Sequence, residues 1–236
     1  DGFKWSLTEF VDGEYFSGRI VELQNLALLL AKLLHVSGNV PRISDIQAWD
    51  CPSFSAQSDL LDEATKREAD WPLLFGDDGA SFLRSKWKKL NQYWSVLSNH
   101  PPDLSWDGIM HFDLHPHNIL CRDEKIAALL DLDSFWRGPL GVAIAFGGLK
   151  LCRQTVVYQR TSVRAAAVGK RFVQVLAENL QHLPIKELDF SRLAHLEVFR
   201  RIFLIMDLNF YHGNSEWNHV LPIQIGHLSE AEKLFE

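Results

Sequence analysis

Oxygen-bearing side chains concentrate in one short part of the chain, residues 111–133. Asp113 and Asn118 stand five residues apart, and Asp131 follows thirteen residues after Asn118. Between the last two, a pair of apolar runs flanks a charged four-residue turn, which predicts a β-hairpin. With the hairpin centred between residues 124 and 125, Asn118 is expected directly opposite Asp131.

Asn118 and Asp131 are suited to hold a magnesium ion together. Facing residues on paired strands keep their Cβ atoms about 4.5–5.5 Å apart, so an amide oxygen and a carboxylate there can share one cation. Mg²⁺ prefers oxygen ligands and usually takes one or two from protein, leaving the others to phosphate and water. Asp113, on the loop that enters the hairpin, is a further carboxylate that could accept a proton from an attacking hydroxyl.

The pattern His111-x-Asp113-x-x-x-x-Asn118, followed by Asp131, resembles the catalytic loop and metal-binding segment of the protein-kinase-like superfamily. The His-Pro pair before Asn118, and Asp-Leu-Asp at residues 131–133, resemble its aminoglycoside phosphotransferase and choline kinase branch. That branch phosphorylates small molecules. The resemblance implies an α+β, predominantly α-helical fold: the C-terminal lobe of a kinase-like protein, with a small β-hairpin carrying the catalytic loop.

The same resemblance implies cofactors and residue roles. The phosphate donor would be ATP (or GTP) with Mg²⁺, and the acceptor a hydroxyl of an aminoglycoside, choline, homoserine or a similar small molecule. Asp113 would be the catalytic base, Asn118 and Asp131 would bind the metal, and His111 would brace the loop as a structural residue.

Three further residues near this segment are candidates for the site. Asp133 is expected either to touch a second metal or to cap a local turn. Trp136 is the best aromatic candidate for the wall of a substrate pocket, although core packing is the commoner role for tryptophan. His115 belongs to a group of histidines, with His111 and His117, that could instead bind a catalytic metal. A His-dependent metal hydrolase is therefore one alternative function.

Residues 6–13 resemble the hinge between the two lobes of the same family. There the backbone of Glu9, Phe10 and Val11 would hydrogen-bond adenine. The resemblance divides the chain into residues 1–18, a hinge strand and remnant of the N-terminal lobe, and residues 19–236, a helical lobe for catalysis and substrate binding. Because most of the N-terminal lobe and its Lys–Glu pair have no counterpart here, the chain alone is expected to show little turnover.

Three positions depart from the family pattern. Phe112 and His117 stand where glycine is usual, and Ala143 stands where an aspartate usually anchors the catalytic loop. Bulk beside the loop and the loss of an anchor favour a second alternative, a catalytically impaired kinase-like binding protein.

The composition excludes several other classes of protein. Among the 236 residues, 24 Lys and Arg against 30 Asp and Glu give a net charge of −6, so we expect no nucleic-acid partner. The acidic balance leans toward a cationic acceptor. No apolar run reaches the roughly 18 residues of a membrane span, so no membrane partner is expected. Three cysteines without metal spacing indicate a reducing, cytoplasmic compartment. The sequence does not specify an oligomeric state.

The elements that must position this segment follow from the spacing of apolar residues. A strand is predicted over Phe3–Val11. Apolar residues at helical spacing predict helices over residues 19–35, 56–69, 81–98, 142–158, 163–180, 192–211 and 229–235. The turn at residues 76–79 separates the second from the third, and Ser81 is the predicted N-cap of the third.

Overall fold

The structure is a computed structural model that describes residues 10–37, 46–51, 53–160, 164–181, 183 and 185–236. Within these residues the fold is α+β and mostly helical, which confirms the predicted fold class. The predicted strand Phe3–Val11 lies outside the described residues except for Phe10 and Val11. These two are not in a strand, and both are exposed to solvent.

Seven α-helices form the body of the described chain. They are α1 (Ile20–Ser37), α2 (Phe54–Lys66), α3 (Trp71–Asn99), α4 (Leu140–Gln159), α5 (Ala165–Asn179), α6 (Phe190–His212) and α7 (Leu221–Phe235). Five of them lie within a few residues of the predicted ranges, because their apolar residues repeat at helical spacing over three turns or more.

Helices α3 and α7 begin earlier than predicted. The predicted cap Ser81 lies inside α3, and of the predicted turn only Gly76 leaves the helical conformation, with a φ of 73° and a ψ of 164°. Both helices carry proline in their first turn, Pro72 in α3 and Pro222 in α7. Proline is favourable there because the first N–H groups of a helix have no partner within it. Both helices therefore start one residue before a proline, a signal that the spacing of apolar residues does not include.

In the part of the chain that the structure describes, five short strands form two antiparallel sheets. In the first, β1 (Glu14–Tyr15), β3 (Ile119–Arg122) and β4 (Lys125–Leu129) lie in the order β1-β3-β4. The predicted hairpin is β3–β4. In the second sheet, which was not predicted, β2 (Asp107–His111) pairs with β5 (Phe135–Pro139) and places His111 beside Phe135. Since β1 shares a sheet with the hairpin, the division of the chain after residue 18 stays a prediction.

The turn of the hairpin is shorter than predicted. Asp123 and Glu124 form a two-residue loop in which both have positive φ, 50° and 64°. Positive φ at both positions is the requirement of a type I′ turn, which matches the twist of the flanking strands. Asn25 of α1 supports this loop, because its side-chain amide donates to the Glu124 carbonyl at 2.9 Å.

The predicted register of the hairpin was wrong by one residue. A bulge after Leu120 shifts the pairing, so that Ile119 lies opposite Leu129. The Leu130 N–H then donates to the Asn118 carbonyl at 2.8 Å. Asn118 therefore faces Leu130, and Asp131 follows one residue later. The error arose because the short turn and the bulge were not visible in the apolar pattern.

Helix α4 is the central helix of the described fold. Its residues from Leu140 to Leu149 are all buried, and an α-helix that is apolar on every side must be covered by other elements. A Cβ atom on Gly147 would lie 3.1 Å from the Leu114 side chain, which belongs to residues 111–118, called the catalytic loop after the resemblance of this motif. The absence of a side chain at Gly147 thus lets the loop rest closely on α4.

Helices α1 and α4 both meet the length and hydropathy criterion for a membrane span. Of the 18-residue stretch that meets this criterion, 72% is buried inside the fold in α4 and 44% in α1. A buried helix in the core of a protein meets the same criterion. The absence of a membrane partner stays a prediction.

We expect alanine to have opposite effects at two helical glycines, because one of them is in close contact with a neighbouring helix and the other is not. A Cβ on Gly148 would lie 2.6 Å from the Phe172 ring, whereas a Cβ on Gly226 of α7 would have no neighbour within 4 Å. We expect Gly148→Ala to lower the free energy of unfolding by about 1–3 kcal/mol through overpacking. Gly226→Ala should raise it by about 0.5–1 kcal/mol, because alanine favours helix.

Urea unfolding monitored by circular dichroism measures both glycine variants. Equal changes in the two variants would contradict the close contact between α4 and α5.

Candidate active site

His111 ties the catalytic loop to the end of the hairpin. Its Nδ1 accepts from the Asp113 N–H at 3.2 Å, and its Nε2 lies 2.9 Å from the Leu130 carbonyl. An acceptor at Nδ1 and a carbonyl at Nε2 require the neutral ring with its proton on Nε2. Burial lowers the pKa of His111, which favours the same neutral form. The ring thus connects the backbone of Leu130, the residue before Asp131, to the backbone of Asp113.

Asn118 is fixed by the backbone of the same loop. It ends the 3₁₀ turn Pro116–Asn118, is 8% exposed, and its side-chain nitrogen donates to the Asp113 carbonyl at 3.1 Å. Because the nitrogen is engaged, the amide oxygen is the atom that Asn118 offers to a cation. The structure therefore joins Asp113 and Asn118 by a direct hydrogen bond, which their sequence separation alone did not reveal.

Asp131 lies at the end of the hairpin in a left-handed conformation. Its φ is 58°, and its Oδ2 accepts from the Ser134 hydroxyl at 2.7 Å. The carboxylate is exposed, so its second oxygen is open to a ligand. Asp133 is exposed as well, and its backbone carbonyl accepts from the Trp136 indole N–H at 2.9 Å. This contact involves the backbone of Asp133, so the role of its side chain at a second metal or as a local cap stays a prediction.

These residues fit a magnesium ion that is bound jointly with phosphate. Asn118 and Asp131 each present one free oxygen, and oxygen is the ligand type that Mg²⁺ prefers. No three His, Cys, Asp or Glu side chains in the described ranges are grouped so that they could hold a metal alone. A metal here would need ligands from a bound nucleotide, which is the usual behaviour of Mg²⁺.

The arrangement of the histidines opposes a metal hydrolase. Both ring nitrogens of His111 have backbone partners, and the Nδ1 of His115 accepts from the His117 N–H at 3.3 Å. A metal ligand needs a free ring nitrogen, which His111 does not have, and the described residues contain no group of three His, Cys, Asp or Glu side chains that could hold an ion.

Two basic residues that the sequence did not single out bind the carboxylate of Asp113. Its Oδ1 lies 2.8 Å from Lys150 Nζ of α4 and 3.0 Å from a terminal nitrogen of Arg201 of α6. Burial alone would raise the pKa of this carboxyl, but Lys150 and Arg201 outweigh it and hold the pKa below its usual range. Asp113 is therefore ionised at neutral pH.

Lys150 and Arg201 are themselves held in place. Lys150 Nζ lies 4.4 Å from the centre of the buried Phe146 ring, and the Arg201 guanidinium lies 4.5 Å from it. Burial lowers the pKa of Lys150 to about 8. The fully buried Glu197 accepts from Arg201 at 2.9 Å. Lys150 follows ten apolar or glycine residues at positions 140–149, and this was the sequence signal that could have identified it.

Phe112 does not obstruct the catalytic loop. Its ring is 1% exposed and stacks between Trp49 and Trp136, with ring centroids 6.1 Å and 6.0 Å away. The side chain therefore fills the core beneath the loop. Trp136 is half-buried and also lies against Arg200, whose guanidinium is 5.8 Å from the indole centre.

The other two departures from the family pattern also have local explanations. His117 is exposed and meets the edge of Tyr15 of β1 at a centroid distance of 5.5 Å. Ala143 is buried on α4, and the loop is anchored by Lys150 and Arg201 in place of an aspartate there.

The predicted hinge contacts remain untested. Glu9 lies outside the described residues, while Phe10 and Val11 are 87% and 37% exposed. Exposed backbone in this position could receive a ligand, and the adenine contact of these three residues stays a prediction.

A cavity of about 670 Å³ lies between α2 and α6. Carboxylates outnumber cations along its wall: Asp50, Asp59, Asp62, Glu63 and Asp207 against Lys66 and Arg200. Arg200 also donates to both oxygens of Glu197 at 2.8 Å, and Glu197 binds Arg201. A row of ion pairs thus links this cavity to Asp113.

His227 of α7 packs against Phe146, close to Lys150 and Arg201. From this buried histidine we expect the stability of the fold to depend on pH. It is 4% exposed, and its Nδ1 has no hydrogen-bond partner among the described residues. Burial, and then Arg153, Lys150 and Arg201, lower its pKa to about 3. The unfolded chain, with a pKa of about 6.5, binds the proton more tightly, so stability falls as the pH drops from about 6.5 toward 3.

At pH 5 this difference in proton binding lowers the free energy of unfolding by about 2 kcal/mol relative to neutral pH. We expect His227→Gln to remove that part of the dependence, as measured by urea unfolding at pH 7.5 and pH 5. The exposed His219→Gln serves as the control and should leave the slope unchanged. An equal slope in wild type and His227→Gln would contradict the buried neutral ring.

The sequence and the fold both resemble known phosphotransferases. The sequence pattern of the phosphotransferase enzyme family matches residues 1–146. No curated protein sequence matches the chain. Among solved structures, an aminoglycoside phosphotransferase from Alicyclobacillus acidocaldarius superposes with a TM-score of 0.59 at 14% identity, covering 96% of this chain and 68% of that one.

Two further solved structures share the fold. A choline kinase from Cryptosporidium parvum superposes with a TM-score of 0.52 at 12% identity, over 95% of this chain and 69% of that one. An amicoumacin kinase in complex with AMP-PNP and Ca²⁺ superposes with a TM-score of 0.51 at 15% identity, over 95% of this chain and 64% of that one. At such identities the likeness concerns the fold, and the chain spans about two thirds of each relative.

Proposed function

The chain belongs to the phosphotransferase enzyme family, and on that premise we propose that it transfers the γ-phosphoryl group of ATP, or of GTP, to a hydroxyl of a small molecule. The observation that carries this proposal is the pair of backbone contacts made by His111. They join the backbone of Asp113 to that of Leu130, the residue before Asp131. Asn118 binds the same two residues, since its side-chain nitrogen donates to the Asp113 carbonyl and its own carbonyl accepts from the Leu130 N–H.

Each of these residues has a role in the proposed reaction. Asp113 accepts a hydrogen bond from the acceptor hydroxyl and orients it toward the phosphate. Asn118 and Asp131 hold Mg²⁺ through their free oxygens, and His111 keeps the loop in place. When bound, Mg²⁺ supplies neutralisation of the charge on the donor phosphates. The nucleotide complex of the amicoumacin kinase supports the choice of a nucleotide and a divalent metal.

The cavity between α2 and α6 is our candidate for the acceptor site. Its excess of carboxylates favours a cationic molecule, as the overall charge of the chain does. A volume of about 670 Å³ suits a small metabolite or antibiotic. Aminoglycosides, choline and ethanolamine share this chemistry, since each combines a hydroxyl with an amine or ammonium group.

One observation favours the alternative of a binding protein without turnover. The carboxylate of Asp113 is neutralised by two cations, and a carboxyl with a lowered pKa is a weak proton acceptor. Binding of Mg-ATP in the whole protein, without phosphate transfer to any of these acceptors, would support the alternative. Transfer to any one of them would exclude it.

Asp113→Asn tests the proposed catalytic role. We expect kcat to fall about 10²–10⁴-fold, because the orienting carboxylate is lost, while the Kd for Mg-ATP changes little. Transfer of labelled phosphate from ATP to kanamycin, choline or ethanolamine by the whole protein measures kcat. Asp123→Asn, in the exposed turn of the hairpin, is the matched control and should keep wild-type activity. Normal turnover of Asp113→Asn would show that the assignment is wrong.

Asp131→Asn tests the proposed metal site separately from turnover. Loss of the charged ligand should weaken nucleotide binding in Mg²⁺ at least about 10-fold while leaving the weaker metal-free binding unchanged. Isothermal titration with AMP-PNP, with Mg²⁺ and with EDTA, gives both values. Equal affinities of wild type and Asp131→Asn in Mg²⁺ would remove Asp131 from the metal site.

A further inference from the structure

We propose that Lys150 and Arg201 are positioning residues that bind one oxygen of Asp113, so that only the other oxygen can accept a hydrogen bond from the acceptor hydroxyl. This inference deepens the proposed phosphotransferase function and rests on it. It adds two residues, from helices α4 and α6, to a site otherwise built from the segment 111–133.

The two oxygens of Asp113 have different surroundings. Oδ1 receives both Lys150, at 2.8 Å, and Arg201, at 3.0 Å. Oδ2 lies 3.8 Å from His115 Nε2, which is longer than a hydrogen bond. The Asp113 side chain is 30% exposed, so the carboxylate is only partly covered. Since Oδ1 already has two donors, Oδ2 is the oxygen that can receive a third.

The two cations have little freedom to release Oδ1. The side chains of Lys150 and Arg201 are 13% and 22% exposed, and both lie against the Phe146 ring. Arg201 is also bound to the buried carboxylate of Glu197, and a terminal nitrogen of Arg201 lies 3.4 Å from the Phe112 carbonyl. Two cations from different helices, each with its own support, define the direction of the Asp113 side chain.

This arrangement makes the orientation of Asp113 a property of the helical core. An aspartate at the end of a loop could rotate and present either oxygen, and misplacement of a reacting group by about 1 Å can cost about 10²-fold in rate. The double ion pair instead selects one rotamer before the acceptor binds. The contacts of Lys150 and Arg201 are with Oδ1 and with the helical core, so we expect them to act through Asp113.

Lys150→Met and Lys150→Arg in the whole protein test this inference. Methionine keeps the length of the side chain but removes the donor, so kcat should fall about 10–10²-fold with the KM for ATP unchanged. Arginine can still donate to Oδ1 and should restore most of kcat. Arg153→Met, one turn further along α4, removes an ion pair to Glu230 and is the matched control with wild-type kcat.

A spectroscopic readout tests the same inference without turnover. Three-bond couplings of the Asp113 β-protons should indicate one χ1 rotamer in wild type and rotamer averaging in Lys150→Met. If wild type transfers phosphate to no acceptor, the proposed function fails, while the couplings still decide the role of Lys150.

Two results would overturn the inference. The first is rotamer averaging of Asp113 already in wild type. The second is a Lys150→Met protein with lower thermal stability but unchanged kcat and unchanged couplings, since that combination defines a purely structural lysine. Should Lys150→Met fail to fold, Arg201→Met provides the same comparison from α6, with the same expected loss of kcat and of the single rotamer, and Arg201→Lys, which keeps a donor, should restore most of kcat.

Discussion

The ion pairs between Asp113 and the cations Lys150 and Arg201 are the interaction on which the candidate site depends. A nearly buried lysine or arginine is costly unless a carboxylate compensates its charge. Asp113 provides that compensation for Lys150, and it shares Arg201 with Glu197. The catalytic loop is consequently held against α4 and α6 by the same charges that those helices need in order to pack.

Backbone hydrogen bonds complete this arrangement on the other side of the loop. His111 connects the Asp113 N–H to the Leu130 carbonyl, and Asn118 binds the Asp113 carbonyl. These contacts depend on the sheet formed by β2 and β5, which brings His111 beside Phe135. The side chain of Asp113 thus faces the helices, while its backbone is fixed by the hairpin and the second sheet.

A series of ion pairs extends from the loop toward the cavity between α2 and α6. Arg201 shares Glu197 with Arg200, and Arg200 lines the cavity. Glu197 also accepts from the Trp49 indole at 2.8 Å, beside the ring stack that fills the space under the loop. Because these groups are buried and charged, a change in one of them alters the electrostatic interactions of its partners.

The sequence by itself determined most of the helices and the existence of the hairpin, and it led to Asp113, Asn118 and Asp131 as the proposed chemical centre. Those features depend on local periodicity and on the spacing of a few residue types, which a single chain displays directly. The tertiary structure decided the register of the hairpin, the pairing of β2 with β5 and the binding of Asp113 by Lys150 and Arg201. The β2–β5 pairing and the contacts of Asp113 join residues 24 to 88 positions apart, and the partner of each is decided by burial and charge compensation in the folded core.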